Sequence, residues 1–318
     1  MTTAFVTGGS GFIGGRLIRA LVERGDRVRA LARSDRAAAA VAAAGAEAVR
    51  GDLDDVAAMT AGMAGCDVVF HAAANVAQAG PWADFVRGTI DGTRNALAAA
   101  RAAGVAPAKF VHVSTEAVLV EGAPLVRADE TVPRAARPAG PYPRSKGMAE
   151  ELVVAAGGVI VRPRFVWGLG DTSLLVELSH AVRSGKFRWI GGGRHLTSTC
   201  HVANVVEGLL CAAERGRGGE IYFVTDGEPV EFRGFVTEML ATAGVEVGPK
   251  SVPLWAARTA AALTAWMREP PVSRTAIALI GVEVTVVDAK ARRELGYVGR
   301  MSRAAGLAEM RSALVERA

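Results

Sequence analysis

The run VTGGSGFIGGRL (Val6 to Leu17) follows a short β-like segment, Ala4–Thr7, and opens a stretch with helical apolar spacing, Phe12–Arg24. Gly8, Gly11 and Gly14 stand three residues apart within it. A strand that turns on glycine straight into a helix constrains the fold more than any other feature of the chain. Glycine serves the tight turn, lets backbone approach a pyrophosphate, and lets the helix pack closely on the strand. The unpaired N–H groups at the helix start attract the phosphate charge. Glycine turns also join strands to helices for structural reasons alone, but the strand–turn–helix context favours a dinucleotide site. Gly8, Gly11, Phe12, Ile13 and Gly14 are its expected contacts.

The 318 residues suffice for a large α/β unit with a smaller partner. Through the first half, β-like runs alternate with helical patterns, the rhythm of a parallel sheet flanked by helices. Strands are expected at Ala4–Thr7, Arg27–Ala32, Ala46–Arg50, Asp67–His71, Lys109–Val113 and Val159–Arg162. Helices are expected at Phe12–Arg24, Arg36–Ala44, Asp54–Gly62, Asp84–Ala103 and Pro143–Ala156. A helix at Val202–Arg215 and a strand at Glu220–Val224 should rejoin the sheet. The proline-rich stretch Glu116–Pro141 reads as a loop over the sheet edge. The expected architecture is a Rossmann-type doubly wound parallel sheet, residues 1–163 plus about 200–225, with a smaller, discontinuous C-terminal substrate-binding lobe, about 164–199 plus 226–318.

Cofactor choice should be decided where the second strand ends. An acid there would accept hydrogen bonds from the adenine ribose of NAD, but the slot counted on from Gly25 falls on Ala32. Arg33 follows, and a guanidinium suits the 2′-phosphate of NADP. Simple solvent exposure is the plainer role for Arg33, and Asp35 is near enough to swing in. NADP(H) is therefore preferred and NAD(H) stays open. Asp52, with Leu53 beside it, is placed to meet the adenine amino group; the plainer role, capping the next helix, falls to Asp54 or to Asp52 itself.

The net charge is +5, and the arginines are scattered (Arg16, Arg19, Arg24, Arg27, Arg29) rather than gathered. A solvated basic surface thus outweighs nucleic-acid binding. Cys66, Cys200 and Cys211 form no CxxC pair and leave an odd count, which argues for a reducing, cytoplasmic setting. Cys200 adjoins His201 without a second ligand pair at metal spacing, so no metal site is expected. The first strand begins almost at once, leaving no room for a signal peptide. The apolar segment Val252–Met267 is too short to span a bilayer and holds Arg258, so no stable membrane insertion is expected.

The motifs TGGSGFIG, GDL, VVFHAAA, VSTEAV, YPRSK and RPRFVWGLGD occur in the order and spacing of extended short-chain dehydrogenases/reductases. The chain resembles that family, within the NAD-dependent epimerase/dehydratase superfamily, over essentially its whole length. It looks closest to the 3β-hydroxysteroid dehydrogenase-like branch, with dihydroflavonol-reductase-like features at Arg33. The resemblance implies a Ser/Thr–Tyr–Lys catalytic group. Tyr142 and Lys146 match YxxxK, and counting back from Val118 favours Thr115 over its neighbour Ser114. It further implies cofactor contacts from Ala72, Ala73, Lys146 and Pro163, and substrate contacts from Glu116, Arg164, Trp167 and His195. The last three could equally pack the lobe, and His71 reads as packing or cofactor-adjacent. Two departures stand out: Thr89 replaces a common asparagine, and Ala203 replaces an acid in HVANVV.

A free phenol, with pKa about 10, exchanges protons poorly near neutrality. An ammonium one helical turn away would favour the phenolate and could hold the nicotinamide ribose, while Thr115 would donate to the substrate oxygen. Alone, Tyr142 and Lys146 would read as a helix start with a snorkelling lysine. In this context they imply NADP(H)-dependent interconversion of a ketone and a secondary alcohol on an apolar, steroid-like or polyketide-like substrate. A nucleotide-sugar epimerase or dehydratase is the alternative, weakened for dehydration because Ala117 stands where a second acid would follow Glu116. A non-catalytic NADP-sensing regulator is disfavoured by the retained YxxxK. Family analogy suggests a homodimer through the helices at Asp84–Ala103 and Pro143–Ala156.

Overall fold

Seven parallel strands build one sheet: β1 (Thr3–Thr7), β2 (Arg27–Ala32), β3 (Glu47–Arg50), β4 (Val68–His71), β5 (Phe110–Val113), β6 (Val159–Pro163) and β7 (Ile221–Val224). The computed structural model describes residues 1–77, 79–171, 174–264 and 273–315, so the end of the apolar segment, 265–267, lies outside them. In space the strands run β3-β2-β1-β4-β5-β6-β7. Chain order therefore reverses between β1 and β4, and the crevice at that point is where such sheets bind ligands. The sequences VVFH and FVHV of β4 and β5 are buried at every position, as strands covered on both faces must be. Successive residues serve opposite faces: Val6, Phe70 and Val111 join one core, Phe5, Val69 and Phe110 the other.

Helix α1 (Phe12–Glu23) buries Gly14, Leu17, Ile18 and Leu21, the spacing that puts one stripe on the sheet. Helix α2 (Asp35–Ala43) is capped by Ser34, whose hydroxyl accepts from the Ala37 N–H at 3.2 Å. Helix α3 (Val56–Met63) starts later than expected. Its cap is Asp55, accepting from the Ala58 N–H at 2.9 Å, rather than Asp54 or Asp52. The expected Asp84–Ala103 helix begins as Trp82–Phe85, widens into a π turn over Val86–Asp91 and continues as α4 (Gly92–Ala102). Thr89, fully buried in that turn, takes the Asn75 N–H on its hydroxyl at 3.0 Å.

Helix α5 (Pro141–Ala155) begins one residue ahead of Tyr142, with proline in its first turn, where a missing N–H costs nothing. Gly140 before it has φ +150°, and a Cβ there would lie 2.0 Å from Thr275 Oγ1. Helix α6 (Val202–Arg215) packs against α1 and buries Val202, Val205, Val206 and Leu209.

A second sheet pairs Val230–Glu231, Leu196–Thr197, Val284–Val286 and Leu125–Ala128, in that order. The stretch Glu116–Pro141 is therefore not simply a loop. It opens with a 3₁₀ turn, Glu116–Leu119, and supplies an edge strand whose partner lies far along the chain. Phe165, Trp167, Trp189, Phe232, Phe235 and Met239 form an aromatic-rich core behind this sheet.

Candidate active site

The turn after β1 is shaped by its glycines. Gly8 has φ +72°, and a Cβ on it would lie 2.7 Å from Ala73 N and 2.8 Å from the Ala72 carbonyl carbon. A Cβ on Gly14 would lie 2.2 Å from Gly8 O. Gly11 caps α1 without a side-chain bond, leaving the N–H groups of the first turn, at Phe12 and Ile13, for another acceptor. A cleft of about 200 Å³ opens here, lined among others by Ser10, Gly11, Phe12, Arg16, Arg19 and Leu169. Bare backbone, free donors and the exposed Arg19 guanidinium fit the pyrophosphate of a dinucleotide, while Arg16 is paired with Glu309 at 2.8 Å. A larger cleft, about 400 Å³, lies between Arg127, Glu130, Lys290 and Arg293 and shares none of these residues.

Around the adenosine end, Arg33 is exposed. Asp35 is drawn into an exposed ion pair with Arg50 at 2.9 Å, on the side chain's outer face. Asp52 is exposed and its carboxylate accepts the N–H of its neighbour Leu53 at 2.8 Å, while Leu53 is buried. On the opposite side of the switch point, Ala73 N–H donates to Thr7 Oγ1 at 3.3 Å. Thr7 also meets His71 Nδ1 at 2.8 Å, and His71 Nε2 meets Thr93 at 3.1 Å. Burial first, then the nearby Lys146 charge, pushes His71 down to about 3, so it is a neutral packing residue of the strand ends.

Thr115, just past the end of β5, donates to Glu116 Oε2 at 2.9 Å and accepts the Ala117 N–H at 3.2 Å, and Tyr142 stands at the start of α5. Ser114 is buried with its Oγ unpartnered among the described residues. Lys146, one turn on from Tyr142, is 3% exposed. Its ammonium donates to Val113 O at 2.6 Å and to His112 Nε2 at 3.1 Å. Because an ammonium can only donate, His112 must carry its own proton on Nδ1. Burial, then the charges of Lys146 and His71, holds the His112 imidazole neutral. Burial lowers Lys146 from 10.5 to about 8, against the pull of Glu150 one turn further.

The phenol departs from the sequence expectation. Burial raises the Tyr142 pKa well above its ordinary value, the Glu116 carboxylate raises it further, and only Thr115 acts in the other direction. The Lys146 charge is spent on Val113 and His112 instead.

On the substrate side, Glu116 and Arg164 form a buried ion pair at 2.8 Å. Arg164 also reaches Thr197 Oγ1 at 3.2 Å and Leu279 O at 2.6 Å. Pro163, the last residue of β6, is buried just before it. His195 is stacked on Phe232 at 5.1 Å, and its Nε2 has no partner among the described residues. Trp167 takes the packing role: it is fully buried, edge-on to His201 and Phe235, and donates to Asp226 at 2.7 Å.

Sequence reasoning missed two carboxylates, Glu150 fully buried and Asp226 half-buried. Glu150 accepts two bonds from Arg162, at 2.7 and 2.6 Å. Asp226 collects Trp167, Thr199, the His201 N–H and Asn204 within 2.6–2.8 Å. An acid just past the last strand, in VTDGEP, was the signal available for the second.

The sequence profile of the 3-beta hydroxysteroid dehydrogenase/isomerase family matches residues 5–254. The chain belongs to this family. It is an extended short-chain dehydrogenase/reductase, and its fold is that of the wider epimerase/dehydratase superfamily. It is 51% identical to a 4-hydroxy-2-methyl-3-oxo-4-farnesyl-3,4-dihydroquinoline-1-oxide ketoreductase of Stigmatella aurantiaca, covering 97% of this chain and 96% of that one. It is 33% identical to a 2-alkyl-3-oxoalkanoate reductase of Stenotrophomonas maltophilia, covering 96% and 98% respectively. Among solved structures, a double mutant of the dTDP-glucose 4,6-dehydratase of Streptomyces venezuelae, with NAD bound, superposes with a TM-score of 0.78 at 23% identity over 98% of this chain and 97% of that one. No helix among the described residues is long and apolar enough to cross a membrane.

Proposed function

We propose that this enzyme reduces a ketone on an apolar, polyketide-like or steroid-like molecule to a secondary alcohol, or runs the reverse oxidation, with Tyr142 as proton donor. The observation that carries the reading is the Tyr142–Lys146 pair on α5, with Lys146 buried against Val113 O and His112, in a chain half identical to a ketoreductase. A bound nicotinamide supplies or accepts the hydride. Tyr142 gives its phenolic proton to the carbonyl oxygen and is restored from solvent. Lys146, held by Val113 O and His112, would turn its ammonium toward a ribose hydroxyl when the nucleotide binds. The aromatic core around Phe165 and Phe232, in a lobe formed by about 164–199 and 226–318, offers the apolar surface such a substrate needs.

The glycine turn, Asp52 and the Ala72–Ala73 backbone would hold the dinucleotide. Exposed Arg33, with Asp35 engaged by Arg50, favours NADP(H) over NAD(H). The three cysteines are free, which fits a reducing cytoplasm. Met148 and Val154, exposed on α5, offer apolar contacts for a homodimer. Dehydration of a nucleotide sugar is disfavoured because Ala117 supplies no second acid and both oxygens of Glu116 are engaged.

The test is a panel of apolar ketones and β-keto acids assayed with NADPH and NADH, alongside Tyr142→Phe. Turnover lost in the variant, with dinucleotide affinity retained and NADPH bound tighter than NADH, is expected. Unchanged turnover in Tyr142→Phe would remove the proton-donor assignment, and tighter NADH binding would remove the role of Arg33.

A further inference from the structure

We propose that His112 is a positioning residue of the active site: its Nε2 lone pair, together with Val113 O, seats the Lys146 ammonium one helical turn from Tyr142, in an interior that offers the charge no carboxylate. The proposal rests on the reading of Tyr142 and Lys146 given above and adds a residue that acts through Lys146.

Lys146 is 3% exposed, and its Nζ donates to Val113 O at 2.6 Å and to His112 Nε2 at 3.1 Å. The two acceptors come from consecutive residues at the end of β5, one from the backbone and one from a side chain. Among the described residues Lys146 has no ion-pair partner. Glu150, the acid one turn on, is held by Arg162 at 2.6 Å and lies 3.9 Å from Arg134. A buried ammonium keeps its charge through the acceptors it can reach, so two neutral groups carry it here. The carbonyl belongs to any residue at that place in the strand, whereas the imidazole depends on one side chain.

The tautomer of the ring follows from its partner. A neutral imidazole carries one proton. On Nε2 it would set two donors face to face at 3.1 Å, so it stands on Nδ1. Nδ1 is buried and has no partner among the described residues. The ring therefore keeps a form that leaves a donor unpaired in the core, a cost that the bond made by its other nitrogen must offset. The neighbouring His71 is different. Its nitrogens meet Thr7 Oγ1 at 2.8 Å and Thr93 Oγ1 at 3.1 Å, hydroxyls that can donate or accept, so either tautomer is satisfied. The two rings stack 5.3 Å apart, 26° from parallel, and this packing holds the plane of His112 and the direction of its lone pair.

Few groups act electrostatically on the ammonium. Glu150 favours its charge, and His71 and His112 are neutral at pH 7, so neither repels it. Two of the three ammonium donors are used, which leaves one for a ribose hydroxyl of the proposed nucleotide. Without the imidazole, Val113 O alone would carry the charge, and the ammonium would lose its proton more readily.

Two NMR measurements test this without substrate or nucleotide. The chain has five histidines and five lysines, Lys109, Lys146, Lys186, Lys250 and Lys290. With nitrogen-labelled histidine, the ring signals of residue 112, identified by their loss in His112→Gln, should report the neutral Nδ1–H form at pH 7. The Nε2–H form, or an imidazolium, would overturn the proposal. With carbon-labelled lysine, assigned using Lys146→Met, residue 146 should titrate near 8 in the parent protein. In His112→Leu its midpoint should fall by about one pH unit or more, with the other four lysines unmoved. His112→Gln, whose amide oxygen can stand in for Nε2, should bring the midpoint back toward the parent's. A midpoint in His112→Leu equal to the parent's, or the same fall in both variants, would overturn the proposal. Should His112→Leu fail to fold, the tautomer read in the parent protein still decides. Kinetically, the alkaline limb of kcat/KM for ketone reduction should move to lower pH in His112→Leu and return in His112→Gln. Absence of any ketone turnover in the parent would count against the proposed function, while the histidine and lysine signals decide the role of His112 separately.

Discussion

Helix α5 carries Tyr142, Lys146 and Glu150 at successive turns, and the last of these locks the helix to β6 through Arg162. Replacing Glu150 with glutamine tests how much the site depends on that lock. Arg162 is 1% exposed and Glu150 fully buried, with two bonds of 2.7 and 2.6 Å between them. Breaking one partner of such a pair costs about 3–5 kcal/mol, because the other charge stays in the interior uncompensated. Glutamine can still accept one of the two bonds, so the lower end, about 3 kcal/mol, is expected for Glu150→Gln. The reverse deletion should be milder. In Arg162→Met the carboxylate keeps Arg134 at 3.9 Å, and it loses only the guanidinium that sits 5.5 Å over Phe223. Replacing both with methionine should recover most of the stability, since no charge is left stranded. Urea denaturation followed by circular dichroism and tryptophan fluorescence gives the free energies of these variants, and adding Glu150→Met alone closes the double-mutant cycle that gives the coupling. Equal single-variant losses below about 0.5 kcal/mol, or a double variant worse than either single, would refute the reasoning.

Lys146 makes stability depend on pH in a definite direction. Its ammonium titrates at about 8 in the folded protein against 10.5 as a free side chain, so between those values the unfolded chain binds more protons. Stability from this group therefore rises with pH from about 8 to 10, by about 2 kcal/mol, and is lost again as pH falls to 8. Relative to Lys146→Met the parent protein should gain that amount across the window; parallel pH curves would contradict the burial of the charge. At the glycine turn, Gly14→Ala would place a Cβ 2.2 Å from Gly8 O and 2.9 Å from Gly9 Cα, both backbone. The turn must shift, so nucleotide affinity should fall at least about tenfold, corresponding to the 1–3 kcal/mol of an overpacked contact. Unchanged affinity in a fluorescence titration would show that the turn does not hold the nucleotide.

Much of the sheet could be read in advance because its determinants are local. Arg27–Ala32 is a strand with the expected bounds, and α1 runs from Phe12 as its apolar stripe requires. The edge strand Leu125–Ala128 could not be read this way: its only reason to be extended is a partner at Val284–Val286. Asp52, Asp54 and Asp55 offer three carboxylates within four residues, and capping geometry, invisible in the sequence, selects the last. The phenol's raised pKa was equally hidden. Spacing places Lys146 on the same helix face as Tyr142, but it does not show that Val113 O and His112 already hold the ammonium.

The two halves of the site differ in how they are specified, and this has a consequence for variation. The proposed nucleotide side is made of residues that follow strands within two positions, such as Gly8, Ala72 and Asp52, so each short segment carries its own instructions. The substrate side is joined by contacts across long stretches of chain: Arg164 to Leu279 spans 115 residues, and Ala139 to Thr275 spans 136. The second of these pins Ala139, next to Gly140 at the start of α5, where a Cβ would meet Thr275, and the first pins the Arg164 that pairs with Glu116. Both anchors lie in one helix, Arg274–Ile280. A change in that helix can therefore move Tyr142 and Glu116 together while leaving the glycine turn untouched. Substitutions there should alter kcat and the choice of ketone with little effect on nucleotide affinity, a separation that follows from where the chain crosses the site.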